Sequence, residues 1–241
     1  RPQQRPQHHC VTSQQRSVAS SRDVQHIRGA HIVTTHQRTR QPLDVILALD
    51  TSKSMICNED GQCVDAPNRR IDKAIQGVNA TLDALDGRCD RVCLLTFSDV
   101  VQKHTPNGLT QVSSFKQRVD SIPEPNGGTA LYDCILQSLK LFQQSRGSKK
   151  QLELVVFTDG EDTRSNAKLS QVCAALAKPG LANFHLILMV VGVDNATQRV
   201  LKSLCKPRHC VYVPVDKSKD AIQKAFYKHV IKRFLKVPLS K

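Results

Sequence analysis

No run of about 18 apolar residues occurs in the 241-residue chain, so no membrane-crossing helix is expected. There is no glycine-rich loop closed by Lys-Ser or Lys-Thr, which removes a P-loop phosphate cradle. No histidine follows an apolar strand beside a plausible nucleophile, so a Ser–His–Asp arrangement has no obvious members. Acidic residues are scarce at both ends. Residues 1–42 hold seven Arg against one Asp, and residues 217–241 hold seven Lys and one Arg against one Asp. The two ends therefore carry almost all of the net charge of +14. A nucleic-acid-binding domain that is basic throughout its body would look different. No secretory leader is visible, although a chain that starts at Arg1 says little on that point.

What the chain does have is a set of small oxygen-bearing residues at the ends of apolar runs. Leu43 to Leu49 reads as a buried strand. Asp50-Thr51-Ser52-Lys53-Ser54 follows it, placing a carboxylate and two hydroxyls at alternate positions on the turn. Asn126-Gly127-Gly128-Thr129 is a glycine-bent loop opening a helix, with a hydroxyl directly after the glycines. A second apolar strand, Leu152 to Phe157, ends in Thr158-Asp159-Gly160-Glu161-Asp162. Hard cations such as Mg²⁺ prefer oxygen ligands of this kind.

From Pro42 onward strands and helices alternate. Strands are expected near 43–49, 91–97, 100–104, 152–157, 184–193 and 210–215, and helices near 70–86, 112–122, 130–142, 169–177, 197–204 and 220–235. Such alternation implies a doubly wound, mostly parallel six-stranded sheet with helices on both faces. With the strand order 3-2-1-4-5-6, strand one and the strand ending at Phe157 are neighbours at the topological switch point. Asp50 and Asp159 then converge on one crevice, which the Gly127-Gly128-Thr129 loop can reach. Two carboxylates brought together repel unless a cation lies between them.

These three segments resemble the metal-ion-dependent adhesion site of a von Willebrand factor type A domain: Asp-x-Ser-x-Ser, then a distant Thr, then a distant Asp. The resemblance extends from about residue 43 to residue 241 and implies a Mg²⁺ site, with Mn²⁺ or Ca²⁺ as alternatives, held by Asp50, Ser52, Ser54, Thr129 and Asp159. It implies a non-enzymatic module of the kind used in cell adhesion, in which an Asp or Glu carboxylate of a partner protein completes the coordination. A metal-dependent hydrolase fits less well, since the second acid such enzymes place two residues after the first is here Ser52. In the family the first helix usually begins soon after the motif, so residues 55–69 look like an insertion on the metal's edge of the sheet. That makes Cys57, Glu59, Asp60 and Cys63 candidate partner-binding residues, together with Lys53, which stands between the two serines and could steer an acidic partner.

Other features leave alternatives open. Residues 1–42, rich in Gln, Arg and His, read as a disordered tail. In the closing helix Lys224, Lys228, Lys232 and Lys236 fall four apart, opposite Ile222, Phe226, Val230 and Phe234. With the basic tail, that stripe offers a contact for nucleic acid or an anionic surface, worth roughly 1 kcal/mol per lysine. Of nine cysteines, Cys93, Cys134 and Cys173 lie in apolar settings that suit free thiols and favour an intracellular chain. Cys57 with Cys63 and Cys205 with Cys210 are spaced for local disulfides, and Asn79 and Asn195 open glycosylation sequons, both of which fit an oxidising compartment. Zinc on Cys205, His209 and Cys210 matches no common finger spacing.

Overall fold

The structure, a computed structural model, describes residues 41–58, 60–115, 122–144, 150–178, 183–216 and 220–236. The expected N-terminal tail and Glu59 lie outside these residues. The strands are β1 (Leu43–Asp50), β2 (Arg91–Phe97), β3 (Val101–Lys103), β4 (Thr110–Gln111), β5 (Gln151–Thr158), β6 (Phe184–Val191) and β7 (Cys210–Val215). The main helices are α1 (Arg70–Ala84), α2 (Leu131–Gln144), α3 (Leu169–Leu176) and α4 (Asn195–Leu204). The last helix runs as α5 (Ala221–Ala225), a π-helical segment (Phe226–Ile231) and α6 (Lys232–Lys236).

The sheet has seven strands in the order β3-β2-β1-β5-β6-β7, with β4 pairing β2 off this path. β1, β2, β5, β6 and β7 are mutually parallel, while β3 and β4 pair antiparallel to β2. The expected order is reproduced; the seventh strand, β4, is only two residues long and too short to leave a sequence pattern. The helix expected over 112–122 is a 3-10 turn at Val112–Ser114, and residues 116–121 lie outside the described set. Pro214 sits within β7, which is tolerated because β7 is an edge strand with one unpaired side.

Every residue of β1 is buried, as expected for a strand covered on both faces. Alternate side chains serve two cores. Val45, Leu47 and Leu49 join α1 and the closing helix on one face, and Ile46 and Ala48 join α2, α3 and α4 on the other. Two carboxylates interrupt these runs at the sheet edge away from the motif. Buried Asp44 pairs with Arg91 and with Lys150 at 3.3 Å. Buried Glu153 accepts from Arg233 at 3.0 Å and lies 3.4 Å from His185. Each is compensated, so these charges fix the lower edge of the fold.

The closing helix explains how a stripe spaced strictly four apart can stay on one face. At 3.6 residues per turn, four-residue steps drift around an α-helix. The wider π turn in the middle reverses that drift, and Ile222, Phe226, Val230 and Phe234 are all buried. Lys224, Lys228 and Lys232 are exposed, with the Lys232 ammonium 5.3 Å from the Tyr227 ring centre.

Phe226 also dictates a glycine in α1. A Cβ on Gly77 would lie 2.4 Å from the Phe226 ring, which is itself packed 5.9 Å from Phe157. Gly77→Ala should therefore destabilise the protein by about 1–3 kcal/mol through overpacking, against the gain of roughly 1 kcal/mol that alanine brings to a helix interior. The check is a urea midpoint at unchanged slope; a raised midpoint would show that Phe226 yields freely.

Candidate metal centre

The geometry of the site starts from the parallel pairing of β1 with β5. Asp50, expected on the turn after the strand, is instead the last residue of β1, which runs one residue further, and Asp159 directly follows β5. Asp50 is fully buried and Asp159 nearly so. One Asp50 oxygen accepts the Ser52 backbone N–H at 2.7 Å, and the other accepts the Thr158 hydroxyl at 2.6 Å. Ser54 donates to Asp159 at 2.7 Å, and the Ser52 and Ser54 hydroxyls lie 3.1 Å apart. Ser52 is buried, whereas Ser54 and Lys53 are exposed and form the outer rim. A 3-10 turn over Lys53–Ile56 holds this geometry, anchored by buried Met55.

The glycine loop is stitched to the same rim. Lys53 donates its backbone N–H to the Gly127 carbonyl at 3.1 Å, and Asn126 donates to the Thr51 carbonyl at 2.8 Å. Gly127 has φ +74, and a Cβ there would lie 2.5 Å from the Asp99 carboxylate. That carboxylate accepts the Gly128 N–H at 2.8 Å. A Cβ on Gly128 would meet Thr163 Oγ1 at 2.7 Å. Thr163 in turn accepts the Thr129 N–H at 2.9 Å, and the Thr129 carbonyl accepts from Thr163 and Arg164. Thr129 is buried, and its hydroxyl faces the Asp159-Gly160 corner, 3.8 Å from where a Gly160 Cβ would stand.

The five expected ligand residues are thus gathered at one end of the sheet by β1, β5 and the loop before α2. The electrostatics are those of a pair short of positive charge. Burial first, then repulsion from Asp159, pushes the Asp50 carboxyl up to about 7. The donor set is two carboxylates and three hydroxyls, all hard oxygens, which fits a Mg²⁺-type ion and not a soft one.

Three contributors had no role in the sequence reading. Thr158 is hydrogen-bonded to Asp50, and Asp99 clamps the glycine loop. Arg70, the first residue of α1, donates from Nη1 to Asp159 at 2.5 Å as a buried ion pair. Its neighbour Arg69 turns outward and is tied at 2.8 Å to Asp72, whose carboxylate also accepts the Arg69 backbone N–H. The signal available for Arg70 was its sign, since a cation in a helix's first turn opposes the macrodipole.

Of the candidate partner-binding residues, Lys53, Asp60 and Cys63 are exposed and Cys57 is half-buried. Cys57 and Cys63 pair as an isolated antiparallel bridge with their sulfurs 3.5 Å apart, as free thiols. Cys205 and Cys210 are also free thiols, and burial pushes each up to about 12. Neither of the two local disulfides that the spacing left open is formed. Among the described residues no cluster of three or more His, Cys, Asp or Glu suits a metal, so zinc on Cys205, His209 and Cys210 is not supported. Among the described residues no helix is long and apolar enough to cross a membrane.

The family model of the von Willebrand factor type A domain matches residues 44–228, and the chain belongs to that family. Solved structures share its fold at low identity. The PilB minor pilin from Streptococcus sanguinis is 15% identical with a TM-score of 0.64, over 80% of this chain and 61% of that one. The pilus adhesin SpaC from Lactobacillus rhamnosus GG is 15% identical with a TM-score of 0.64, over 83% of this chain and 31% of that one. The SpRpn10 VWA domain is 14% identical with a TM-score of 0.60, over 79% of this chain and 96% of that one. This chain therefore spans less than two thirds of the pilin and the adhesin. A comparison with curated protein sequences finds no match.

Proposed function

We propose that the domain is a protein-interaction module that holds Mg²⁺, or Mn²⁺ or Ca²⁺, and through it binds an Asp or Glu carboxylate of a partner protein. The observation that carries this reading is the meeting of Asp50 and Asp159, both buried, with the hydroxyls of Ser52, Ser54 and Thr129 at one sheet edge. Asp50 and Asp159 would supply the negative charge, and the three hydroxyls neutral ligands. When bound, the metal supplies a Lewis-acidic position that a carboxylate can fill. Ser54 and Lys53 are exposed on the rim, so the side from which a partner approaches is open. Thr158 and the Ser52 N–H hold Asp50 in place, and Asp99 and Thr163 hold the loop that carries Thr129. The occurrence of this fold in a minor pilin and a pilus adhesin agrees with binding as the role. An enzyme is disfavoured because the position two residues after Asp50 is a serine.

The test is capture of peptides from an array in which each Asp- or Glu-bearing sequence is paired with its Asn or Gln counterpart. Capture in Mg²⁺ should vanish with EDTA and with the amide counterparts. Capture that survives EDTA but is lost with the amide counterparts would point instead to a charge-driven contact, for which the exposed Lys224, Lys228 and Lys232 stripe is the alternative surface, and capture that survives both treatments would overturn the carboxylate reading.

A further inference from the structure

We propose that Arg70 is a resident counter-cation of the metal centre, which occupies Asp159 in the metal-free protein and must leave it for a divalent ion to enter. The inference rests on the metal reading above and adds to it a regulation of the same site.

Four observations point this way. The guanidinium is buried, with Nη1 2.5 Å from an Asp159 oxygen, so it lies against one of the two carboxylates a metal would share. Its Nε–H finds no acceptor among the described residues. An arginine placed for stability alone would use its fork more fully, and a buried unpaired donor is costly. The surroundings are shaped to it: Gly192 has φ +73, and a Cβ there would lie 3.0 Å from Nη2. Lastly, Arg70 stands at the start of α1, where a cation opposes the helix dipole. The helix gains nothing from it there, whereas Asp159 does.

The physical consequence is competition. A divalent ion between Asp50 and Asp159 and a guanidinium on Asp159 would be like charges a few ångström apart in a largely buried crevice, where screening by water is weak, and they would repel by several RT. Loading the metal therefore includes breaking the arginine contact. Asp159 is kept compensated when no metal is present, and the affinity for metal is lowered in return. The exchange also reaches the inserted loop. Arg70 donates its backbone N–H to the Cys57 carbonyl at 2.8 Å, and Gly61 lies against Nη2, its Cβ position 3.9 Å away. Release of the side chain removes a support from the segment bearing Cys57, Asp60 and Cys63.

The experiment is Mn²⁺ titration calorimetry, with melting of the metal-free protein, on the full chain as wild type, Arg70→Met and Arg70→Lys. Arg70→Met should bind Mn²⁺ at least about tenfold more tightly and melt at a lower temperature without metal. Arg70→Lys, which keeps the charge, should stay within about threefold of wild type. Uptake by Arg70→Met alone, with none in wild type, would support the proposal in its strongest form. Equal or weaker Mn²⁺ binding by Arg70→Met beside measurable wild-type binding would overturn the role of Arg70 and leave the metal site standing. No Mn²⁺ uptake by any of the three proteins would overturn both. If Arg70→Met does not fold, wild type alone decides, through the Arg70 Nε–H resonance in ¹⁵N-labelled protein titrated with Mg²⁺. That signal should shift and exchange faster with solvent as Mg²⁺ saturates. An unmoved signal while the Asp159 and Gly160 amides shift would contradict the exchange.

Discussion

Asp50→Asn should lose Mn²⁺ affinity by about a hundredfold or more and, without metal, unfold at a higher temperature than wild type. The two effects share a cause. Asp50 is fully buried and faces a second carboxylate, and burial and Asp159 push it up to about 7. At about pH 8 the ionised form is held against that cost. Asparagine has nearly the same shape, removes the charge, accepts the Ser52 N–H through its amide oxygen, and donates its amide N–H to the Thr158 hydroxyl, which turns to donate to the Gly160 carbonyl. The net gain should be on the order of 2 kcal/mol, which in a chain of this size is about 4–8 °C in melting temperature. The loss of metal is larger because a neutral amide would replace one of the only two charged ligands proposed. Calorimetry and metal-free melting read both effects. An asparagine variant that binds Mn²⁺ like wild type, or melts well below it without metal, would remove the idea of a site under charge strain.

Gly127→Ala should lower the unfolding free energy by about 2–5 kcal/mol and weaken Mn²⁺ binding severalfold. Two penalties add. An alanine at φ +74 is in the left-handed region, at a cost of about 1–2 kcal/mol. Its Cβ would also stand 2.5 Å from the Asp99 carboxylate, and clearing that overlap costs a further 1–3 kcal/mol or so. Moving Asp99 frees the Gly128 N–H that it accepts, and the displacement passes to Thr129, one residue on. Asp99→Ala separates the two penalties, since it removes the overlap and leaves the strain. If Gly127→Ala is as stable as wild type, the loop is softer than its hydrogen bonds indicate.

How far the sequence carried the reading depends on what each feature needs. The strand order was legible because β1, β2, β5 and β6 are long apolar runs separated by helical periods. The meeting of Asp50 with Asp159 followed from that order, since parallel neighbours end at the same edge. Asp44 and Glu153 sat unremarked inside the same runs, because a buried carboxylate can be understood only once its partners Arg91, Lys150 and Arg233 are known. Arg70 was hidden for the same reason. Its partner is 89 residues away along the chain, and nothing between an arginine at a helix start and an aspartate after a strand marks them as a pair. β4 escaped because two residues carry no period, and the π turn because it appears only as a stripe spaced four apart.

Whether a divalent ion sits among these five side chains is tested most directly by crystals grown with Mn²⁺ and measured near its absorption edge. One strong anomalous peak is expected within bonding distance of the Ser52 and Ser54 hydroxyls, between Asp50 and Asp159 and beside Thr129. A peak on another part of the molecule, or no peak in this crevice at saturating Mn²⁺, would contradict the metal site.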